Sequence, residues 1–495
     1  MTSRADTEPD VDGSGRLCPD PTRVLGQLFV PGHALAGETE GKASRVVAHV
    51  LDLNDDELSH ALADIEVRFG QRHRDLTEMF ERHADRLSNR LLPDVELSER
   101  QRRLLGATFT QEYAVEATSV CNPSAVPAVD QSGLEPGDVR FVLSVRQIGE
   151  GHRSSVGFRH GVFGRDGRVS IDRRGPFTTS GHVTDRALDP VLFRDLASDP
   201  ASESARWVLG GLGALFTFRQ LDERLHELEG QQDTRRDVPD TVSRFIERAA
   251  RWYAIDFPCS SALEERVLTP SCAAESNGIE DARFVRFVGD DGAVTYYATY
   301  TAYDGVAIHQ QLLETMDFRR FTSSPLLGHA AGNKGLALFP RAIDGAFYAL
   351  SRHNGAANSV ARSDDMRHWP TSVPLPEADR VWNCVQVGNC GSPIELDQGW
   401  LVLTHGVGPM RTYSIGALLL DLHDPTIVLG QTDHPLIAPP PGDRDGYVPN
   451  VVYSCGALRH DDHILLPLGT ADSRISFATL TVNGVLDALT APPQK

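Results

Sequence analysis

The sequence ARFVRFVGDDGAVTYYATYTAYDGVAIHQQLL, residues 282–313, has a pattern typical of antiparallel β structure. It contains an apolar strand, an Asp/Gly turn, an aromatic strand, a polar bend and another apolar strand. The same order recurs in four other stretches, three of them at a spacing of roughly 55 residues; they are residues 139–172, 336–369, 391–422 and 451–482. Five copies favour a mainly β fold, a five-bladed β-propeller whose innermost strands bring distant polar residues to one funnel.

The rest of the chain divides into regions that differ in composition and in the spacing of apolar residues. Residues 1–25 are polar and rich in Asp, Pro and Gly, which predicts a disordered tail. Residues 26–120 carry apolar residues at three- and four-residue intervals and are predicted to form a helical N-terminal region. A first blade is expected at 121–185, a helical insertion at 186–268 and the remaining blades at 269–495. The two helical regions should pack on the propeller or form a homo-oligomer contact.

Bulk composition excludes several partners. The formal charge is -20, with 68 acidic against 48 basic residues, and a chain of that sign is repelled by nucleic acid and by anionic membranes. No apolar run approaches the roughly 18 residues of a membrane span, and the first residues lack the order of a signal peptide. These features indicate a cytoplasmic protein. Seven scattered cysteines without a CxxC pair indicate reduced, structural thiols.

Each repeat carries charged or polar residues near an innermost strand or the bend after it. They are Asn122 and Arg146 with His152, Asp281 with Arg283, Lys334 with Arg352, His405 with Arg411, and Asp472. Carboxylates among several cations suit a neutral sugar together with an anion. The histidines lack metal-ligand spacing and no calcium-binding loop is present, so no metal is expected. Serine-hydrolase, nucleotide-binding and dehydrogenase functions lose support because G-x-S-x-G, P-loop and post-strand G-x-G-x-x-G motifs are missing.

The stretch NGIEDARFVRF (277–287) sets Glu280 and Asp281 beside Arg283 at the start of a strand. An acid next to an arginine after a turn is ordinarily a solvated ion pair worth under about 1 kcal/mol. A carboxylate at a funnel mouth can instead act as an acid. The local pattern leaves both interpretations open.

Several ordered motifs resemble glycoside hydrolase family 130. They are NGIEDARFVRF (277–287), NKGLALFPRAIDGAFYALSR (333–352), SDDMRHW (363–369), GWLVLTHGV (399–407), YSIGALLLDLHDPTIVLG (413–430), GYVPNVVYSCGA (446–457) and LPLGTADSRISFATL (466–480). The resemblance covers residues 122–480 apart from the helical insertion. It implies a five-bladed propeller that acts on β-mannosides, mostly as an inverting phosphorylase and in some members as an inverting hydrolase.

The resemblance also implies roles for individual residues. Asp281 matches the family's general acid, whose proton is thought to reach the glycosidic oxygen through a sugar hydroxyl. Lys334 and Arg352 match a basic pair that binds phosphate, although the first is commonly Arg in the family. His405 is matched as a further phosphate-binding residue. Inorganic phosphate would be a co-substrate, and no cofactor is implied.

Glu395 in SPIELDQGW departs from the family, because many phosphorylases have Lys there. An acid at this position would repel phosphate and could activate water as a general base, which is the hydrolytic alternative. It could equally be an exposed turn residue. The surviving basic positions favour the phosphorylase, with an inverting β-mannosidase or a catalytically inactive carbohydrate-binding propeller as alternatives.

Substrate contacts complete the expected site for a mannose-containing oligosaccharide. By resemblance, Asn122, Arg146 and Asp472 bind the mannosyl unit next to the cleaved bond, where unpaired polar groups would disfavour the wrong sugar. Tyr447 and Asn450 in GYVPN are expected at the acceptor sugar. His152 and Arg283 are further predicted substrate contacts.

Overall fold

The computed structural model describes residues 15–30, 39–91, 96–198, 202–231, 237–377, 379–442 and 444–491. The chain divides into two compact units. The smaller unit comprises residues 20–117 with 175–179, and the larger unit comprises the remainder.

The smaller unit is mainly helical. Its elements are β1 (Val24–Leu28), α1 (Thr39–Asp52), α2 (Asp55–Phe69), α3 (Leu76–Leu91), α4 (Glu99–Thr108) and β2 (Thr110–Ala114). Strands β1 and β2 pair antiparallel. Helix α2 begins at Asp55 because Asn54 and Glu57 form a reciprocal capping box that satisfies the first free N–H groups. Buried Leu58, Leu104 and Phe109 belong to the apolar core of the smaller unit.

Part of the predicted disordered tail is ordered. Residues 1–14 lie outside the described residues, but Leu17 is buried and exchanges backbone hydrogen bonds with Ile475. Strand β1 already begins at Val24. The expectation of disorder up to residue 25 is therefore wrong for residues 15–25, because apolar burial and strand pairing order them.

The larger unit begins with a first strand group, β3–β6, followed by two short strands and the helical insertion. The strands are β3 (Ser119–Pro127), β4 (Val139–Ile148), β5 (Ser154–Phe163), β6 (Val169–Ile171), β7 (Thr179–Ser180) and β8 (His182–Asp185). The helices are α5 (Arg194–Ser198), α6 (Glu203–Gly210), α7 (Phe218–Glu229) and α8 (Val238–Ala250). Residues 253–268, predicted helical, instead contain β9 (Tyr253–Asp256) and β10 (Arg266–Leu268), because β9 pairs with its neighbouring strands β8 and β14 (Arg320–Pro325).

Four more antiparallel groups follow. The second group is β11 (Gly278–Val288), β12 (Val294–Tyr303), β13 (Ile308–Thr315) and β14. The third is β15 (Ala337–Leu338), β16 (Phe347–Ser351), β17 (Ser359–Ser363) and β18 (Thr371–Pro374). The fourth is β19 (Gln386–Asn389), β20 (Ile394–Leu396), β21 (Gly399–Val407), β22 (Tyr413–Leu420) and β23 (Val428–Thr432). The fifth is β24 (Val452–Tyr453), β25 (Leu458–His460), β26 (His463–Thr470) and β27 (Arg474–Thr481), after which come α9 (Val482–Asp487) and β28 (Leu489–Thr490).

Short 3-10 turns connect several of these elements. They span Glu150–His152, Pro190–Phe193, Leu263–Glu265, Ala273–Glu275, His329–Ala331 and Pro409–Arg411. None of the helices in the described part of the chain combines the length and the apolar character that a membrane crossing requires.

Separate apolar cores join neighbouring strand groups. Phe158 of the first group packs with Phe284 of the second, and three further cores join the second to the third, the third to the fourth and the fourth to the fifth. A fifth core contains Leu143 of the first group and Leu465 of the fifth. The prediction of a mainly β fold is confirmed, and closure into one five-bladed propeller remains a prediction.

Candidate functional site

One polar cavity of about 450 Å³ in the larger unit receives side chains from all five strand groups. Its walls include the predicted residues Asn122, Arg146, Asp281, Lys334, Arg352, His405 and Asp472. They also include Glu280, Asn333, Gly355, Gln386, Arg411, Tyr413, Val448, Val451 and Tyr453. Residues up to 350 positions apart are thus brought together, as from Asn122 to Asp472.

Register shifts and positive φ angles of the backbone orient several of these side chains. Asn122 and Asp281 lie at register shifts in β3 and β11 and have φ angles of 47° and 54°. A β-bulge bends its strand and redirects a side chain. Arg411 and Asp472 also have positive φ, at 52° and 45°. Such conformations cost about 1–3 kcal/mol each and cluster at functional sites.

Asp281 lies at the centre of the charges in the cavity. Its Oδ1 accepts a 2.5 Å hydrogen bond from Asn122 Nδ2 and lies 3.7 Å from Arg146 Nη1. Burial alone would raise the pKa of this carboxyl. Arg283 and Arg146, with Lys334 and Arg352, outweigh burial and hold the pKa of Asp281 below its ordinary value. Asp281 is therefore ionised in the free protein near neutral pH.

Glu280 engages two cations beside Asp281. Its Oε1 accepts a 2.7 Å hydrogen bond from Arg146 Nη2, and its Oε2 lies 3.9 Å from Lys334 Nζ. The three side chains form a charged wall next to the carboxylate of Asp281.

Arg352 and His405 form a buried pair on another wall. Arg352 Nη1 lies 3.0 Å from His405 Nε2, and His405 Nδ1 lies 3.2 Å from the carbonyl oxygen of Asn389. A guanidinium only donates, so Nε2 accepts and Nδ1 carries the proton. Burial, then Arg352 and Arg283, lower the pKa of His405 to about 3. His405 is neutral, and the positive charge of this pair belongs to Arg352.

Asp472 is a second carboxyl with the opposite tendency. Burial and the nearby Asp281 carboxylate raise its pKa to about 6, against the attraction of Arg146 and Arg411. Two carboxyl groups of one cavity therefore have pKa values shifted in opposite directions, a pattern typical of sites that move protons.

Several polar atoms at the cavity are buried without a hydrogen-bond partner among the described residues. They are Asn122 Oδ1, Arg146 Nε and Arg352 Nε. A buried polar atom left unpaired costs roughly 1–3 kcal/mol. These atoms are suited to a polar ligand.

The structure separates Glu395 from the cavity. It lies on β20, and its carboxylate receives 2.6 Å and 3.0 Å hydrogen bonds from Arg341. Its side chain is 42% exposed. The expectation that Glu395 activates water at the site is therefore wrong, because its carboxylate is exposed, is paired with Arg341 and does not line the cavity. The alternative interpretation as an exposed residue before the DQGW turn fits.

Four other predicted contacts do not line the cavity. Arg283 is 2% exposed and lies behind Asp281, donating to the Asp281 carbonyl oxygen (2.9 Å) and to Tyr453 Oη (2.8 Å). Its guanidinium is enclosed by protein groups, which corrects its predicted substrate contact. Tyr447 stacks on His152 and bonds its Nδ1 at 2.9 Å. Asn450 precedes the lining residue Val451 and has a φ of 62°.

Sequence reasoning assigned no role to several lining residues. Tyr413 and Tyr453 place their rings against His405, with centroids at 6.0 Å and 4.8 Å. Gln386 and Asn333 also line the cavity. Arg411, which the sequence groups with His405 without a specific role, ends the Pro409–Arg411 turn and lines the cavity.

Outside this cavity, His160, Asp172 and Glu264 bring three possible metal-ligand atoms within 4.8 Å of one another. His160 Nδ1 already bonds Glu264 Oε1 at 2.7 Å. The two side chains satisfy each other without an ion.

Comparison with known proteins gives consistent matches. The profile of a family described as beta-1,4-mannooligosaccharide phosphorylase, glycoside hydrolase family 130, matches residues 235–491. A 1,2-beta-oligomannan phosphorylase of Thermoanaerobacter sp. is 31% identical over 237 residues, which are 45% of this chain and 75% of that protein. A beta-1,2-mannobiose phosphorylase of Listeria innocua is 31% identical over 238 residues, 46% of this chain and 64% of that protein.

A solved structure of the Listeria innocua beta-1,2-mannobiose phosphorylase, in complex with beta-1,2-mannobiose, aligns with 76% of this chain and 92% of that chain. The sequence identity is 22% and the TM-score is 0.45. The profile match covers more than half of the sequence, and the Thermoanaerobacter relative is matched over three quarters of its length. The chain therefore belongs to glycoside hydrolase family 130 and is a carbohydrate-active enzyme.

Proposed function

We propose that this enzyme is an inverting phosphorylase of β-mannosides, with inorganic phosphate as co-substrate and no further cofactor. The names of its relatives support a mannoside substrate and phosphate as the second reactant. The observation that carries the proposal is the set of cations at the cavity. Arg146, Lys334, Arg352 and Arg411 share it with three carboxylates, and of these cations only Arg146 has a hydrogen-bonded carboxylate partner among the described residues, Glu280.

The phosphate would bind where this positive charge is least compensated. Arg352 is 8% exposed, its Nε has no partner among the described residues, and its neighbour His405 is neutral. Lys334 lies 3.9 Å from Glu280, too far for a strong hydrogen bond. Arg352 and Lys334 are thus free to give charge-assisted hydrogen bonds to a dianion.

Asp281 supplies and accepts the proton. In cleavage, a phosphate oxygen attacks the anomeric carbon from the face opposite the leaving sugar. The bond to the glycosidic oxygen breaks, and the Asp281 proton passes to that oxygen, directly or through a sugar hydroxyl. A β bond then gives α-mannose 1-phosphate.

Phosphate itself favours the acid form of Asp281. The cations Lys334 and Arg352 contribute to the lowered pKa of Asp281 in the free protein. A bound dianion neutralises them and adds a nearby negative charge, so the Asp281 pKa rises as phosphate binds. In the synthetic direction, the ionised carboxylate is ready to accept the acceptor's proton.

The mannosyl unit would contact Asn122, Arg146 and Asp472. Asn122 presents an unpaired Oδ1 and Arg146 an unpaired Nε. Asp472 lies across the same cavity. These groups would hold the sugar next to Asp281. Tyr447, Asn450 and His152 would lie beside the acceptor sugar, because Asn450 precedes the lining residue Val451 and Tyr447 contacts His152.

A closed five-bladed propeller accounts for the convergence of these residues. Apolar cores join each strand group to the next and the fifth group to the first. Backbone hydrogen bonds also connect Cys455 to Pro123 and Val120 to Ser473, across the fifth and first groups. Each group would then be one blade, with β3, β11, β15, β19 and β24 innermost.

The synthetic direction tests the function whichever linkage the enzyme makes. The enzyme is mixed with α-mannose 1-phosphate and a panel of acceptor sugars, and released phosphate is measured. We expect release with at least one mannose or glucose acceptor, and a loss of about 10²- to 10⁴-fold in Asp281→Asn. An enzyme that releases no phosphate with any acceptor but frees mannose from β-mannosides in water would overturn the proposal.

A further inference from the structure

A second cavity of about 470 Å³ lies in the fourth strand group. Its lining includes Arg380, Trp382, Thr412, Ser414, Asp433 and His434. None of these residues has a role in the proposed reaction.

Trp382 is held as a fixed platform in this cavity. Its ring lies on the backbone of Gly406 and Gly416, where an added Cβ would come within 2.4 Å and 2.6 Å of ring atoms. Its Nε1 donates to the carbonyl oxygen of Asp433 at 3.1 Å. The glycines allow the ring to lie flat on β21 and β22, and the hydrogen bond fixes its edge.

Polar side chains border the ring. Arg380 Nε and Nη2 donate to Asp433 Oδ1 at 3.1 Å and 2.5 Å, and both side chains remain more than a third exposed. His434 is exposed beside them. An aromatic ring with a few planar polar groups in a mostly apolar pocket is suited to a small ring-shaped ligand with hydroxyl groups.

One hairpin forms a wall of both cavities. Arg411 and Tyr413 line the catalytic cavity, whereas Thr412 and Ser414 line the second one. Tyr413 and Ser414 are successive residues of β22 and therefore point to opposite faces, so this hairpin lies between the two cavities. Met410 at its tip is 86% exposed. An oligosaccharide that occupied both cavities would have to cross this tip.

We propose that the second cavity binds distal sugar units of a β-mannoside whose cleaved end occupies the catalytic cavity. The inference rests on the proposed substrate class. The distal ring would stack on Trp382, and its hydroxyl groups would bond the Arg380–Asp433 pair and His434. The enzyme would consequently bind longer chains better than disaccharides.

Binding rather than turnover tests this inference. Titration calorimetry on Asp281→Asn compares β-1,2-mannobiose with β-1,2-mannotetraose, the linkage named for both relatives. We expect the tetrasaccharide to bind more tightly. Adding Trp382→Leu should remove roughly 3- to 10-fold of that advantage, the range for loss of one aromatic contact, and leave disaccharide binding unchanged. His434→Ala, with no ring packing to disturb, should also reduce it.

The matched control is Trp207→Leu, a half-buried tryptophan of the helical insertion that lines neither cavity. It should leave both affinities unchanged. Equal affinities of the parent for the two saccharides would overturn the second subsite. So would an equal loss of affinity for both saccharides in Trp382→Leu together with no loss in His434→Ala. A protein that binds neither saccharide would overturn the mannoside substrate as well. Phosphate release, which tests the proposed function, is measured separately on the enzyme with Trp382 intact.

Discussion

Arg411 is a further cation of the cavity, and we expect it to contact the phosphate together with Arg352 and Lys334. It lines the cavity, and no hydrogen bond or ion pair of its side chain is found among the described residues. The positive φ of Met410 and Arg411 fixes the hairpin that carries it. We expect Arg411→Ala to raise the KM for phosphate about 10-fold or more, as for loss of a charged hydrogen bond.

Met410→Ala is the control for that prediction, because Met410 belongs to the same hairpin but does not line the catalytic cavity. Steady-state phosphorolysis of a disaccharide gives the KM for phosphate and the KM for the saccharide. An unchanged phosphate KM in Arg411→Ala, with a raised KM for the saccharide, would assign Arg411 to the sugar instead.

Asp472 should make the fold less stable as pH rises. Its pKa is raised from 3.8 to about 6 in the folded protein, so between these pH values the unfolded chain has lost the proton and the folded chain keeps it. The folded state then binds more protons, and stability falls with rising pH. Asp472→Asn should reduce this decline in thermal melts taken from pH 4 to pH 7. An identical pH profile in the variant would show that Asp472 is not the responsible group.

Among the strands, the close pairing of β19 and β21 positions the side chains of His405 and Arg352. A Cβ on Gly388 would lie 2.4 Å from His405 Cε1 and 2.9 Å from Arg352 Nη1. Both side chains are buried and have little room to move. Gly388→Ala should therefore lower kcat/KM for phosphate by about 10-fold or more through displaced donors.

Gly430→Ala on β23 is the matched control, since its Cβ would meet only Leu489 and Thr490, at 3.2 Å or more. Circular dichroism melts should show that both variants fold. Full activity in Gly388→Ala would mean that Arg352 need not hold its observed position.

The opposite result is expected for Glu395 on β20. Its carboxylate is paired with Arg341 at the surface, away from the cavity. Glu395→Gln should keep mannoside cleavage within about 2-fold and cost under about 1 kcal/mol of stability, the usual worth of an exposed ion pair. Urea unfolding and the standard assay measure both. A crippling loss of activity would restore Glu395 as a catalytic base.

These elements show what the sequence could predict. The repeat pattern anticipated the strand groups, and the family motifs led to seven residues that share one cavity, among them Asp281, Arg352 and Asp472. The direction of Glu395 and Arg283 could not be read from sequence. The direction of a side chain depends on which face of its strand it occupies. Side chains alternate between the two faces, and bulges such as those at Asn122 and Asp281 change that alternation. Tyr453 lies far along the chain from His405, so their contact required the fold.

For the molecule as a whole, a net charge of -20 coexists with a cation-rich cavity. Salt screens charges beyond about 8 Å at physiological ionic strength. Phosphate binding would therefore be governed by the few groups that line the cavity, whatever the overall charge. No described residue of the smaller helical unit lines that cavity.

In the proposed reaction phosphate, rather than water, cleaves the bond. The most direct test is to incubate the enzyme with β-1,2-mannobiose in buffer with and without phosphate and to follow products by phosphorus and proton NMR. We expect cleavage only with phosphate, with α-mannose 1-phosphate as the first-formed product. Equal rates in both buffers, with free mannose as the only product, would contradict it.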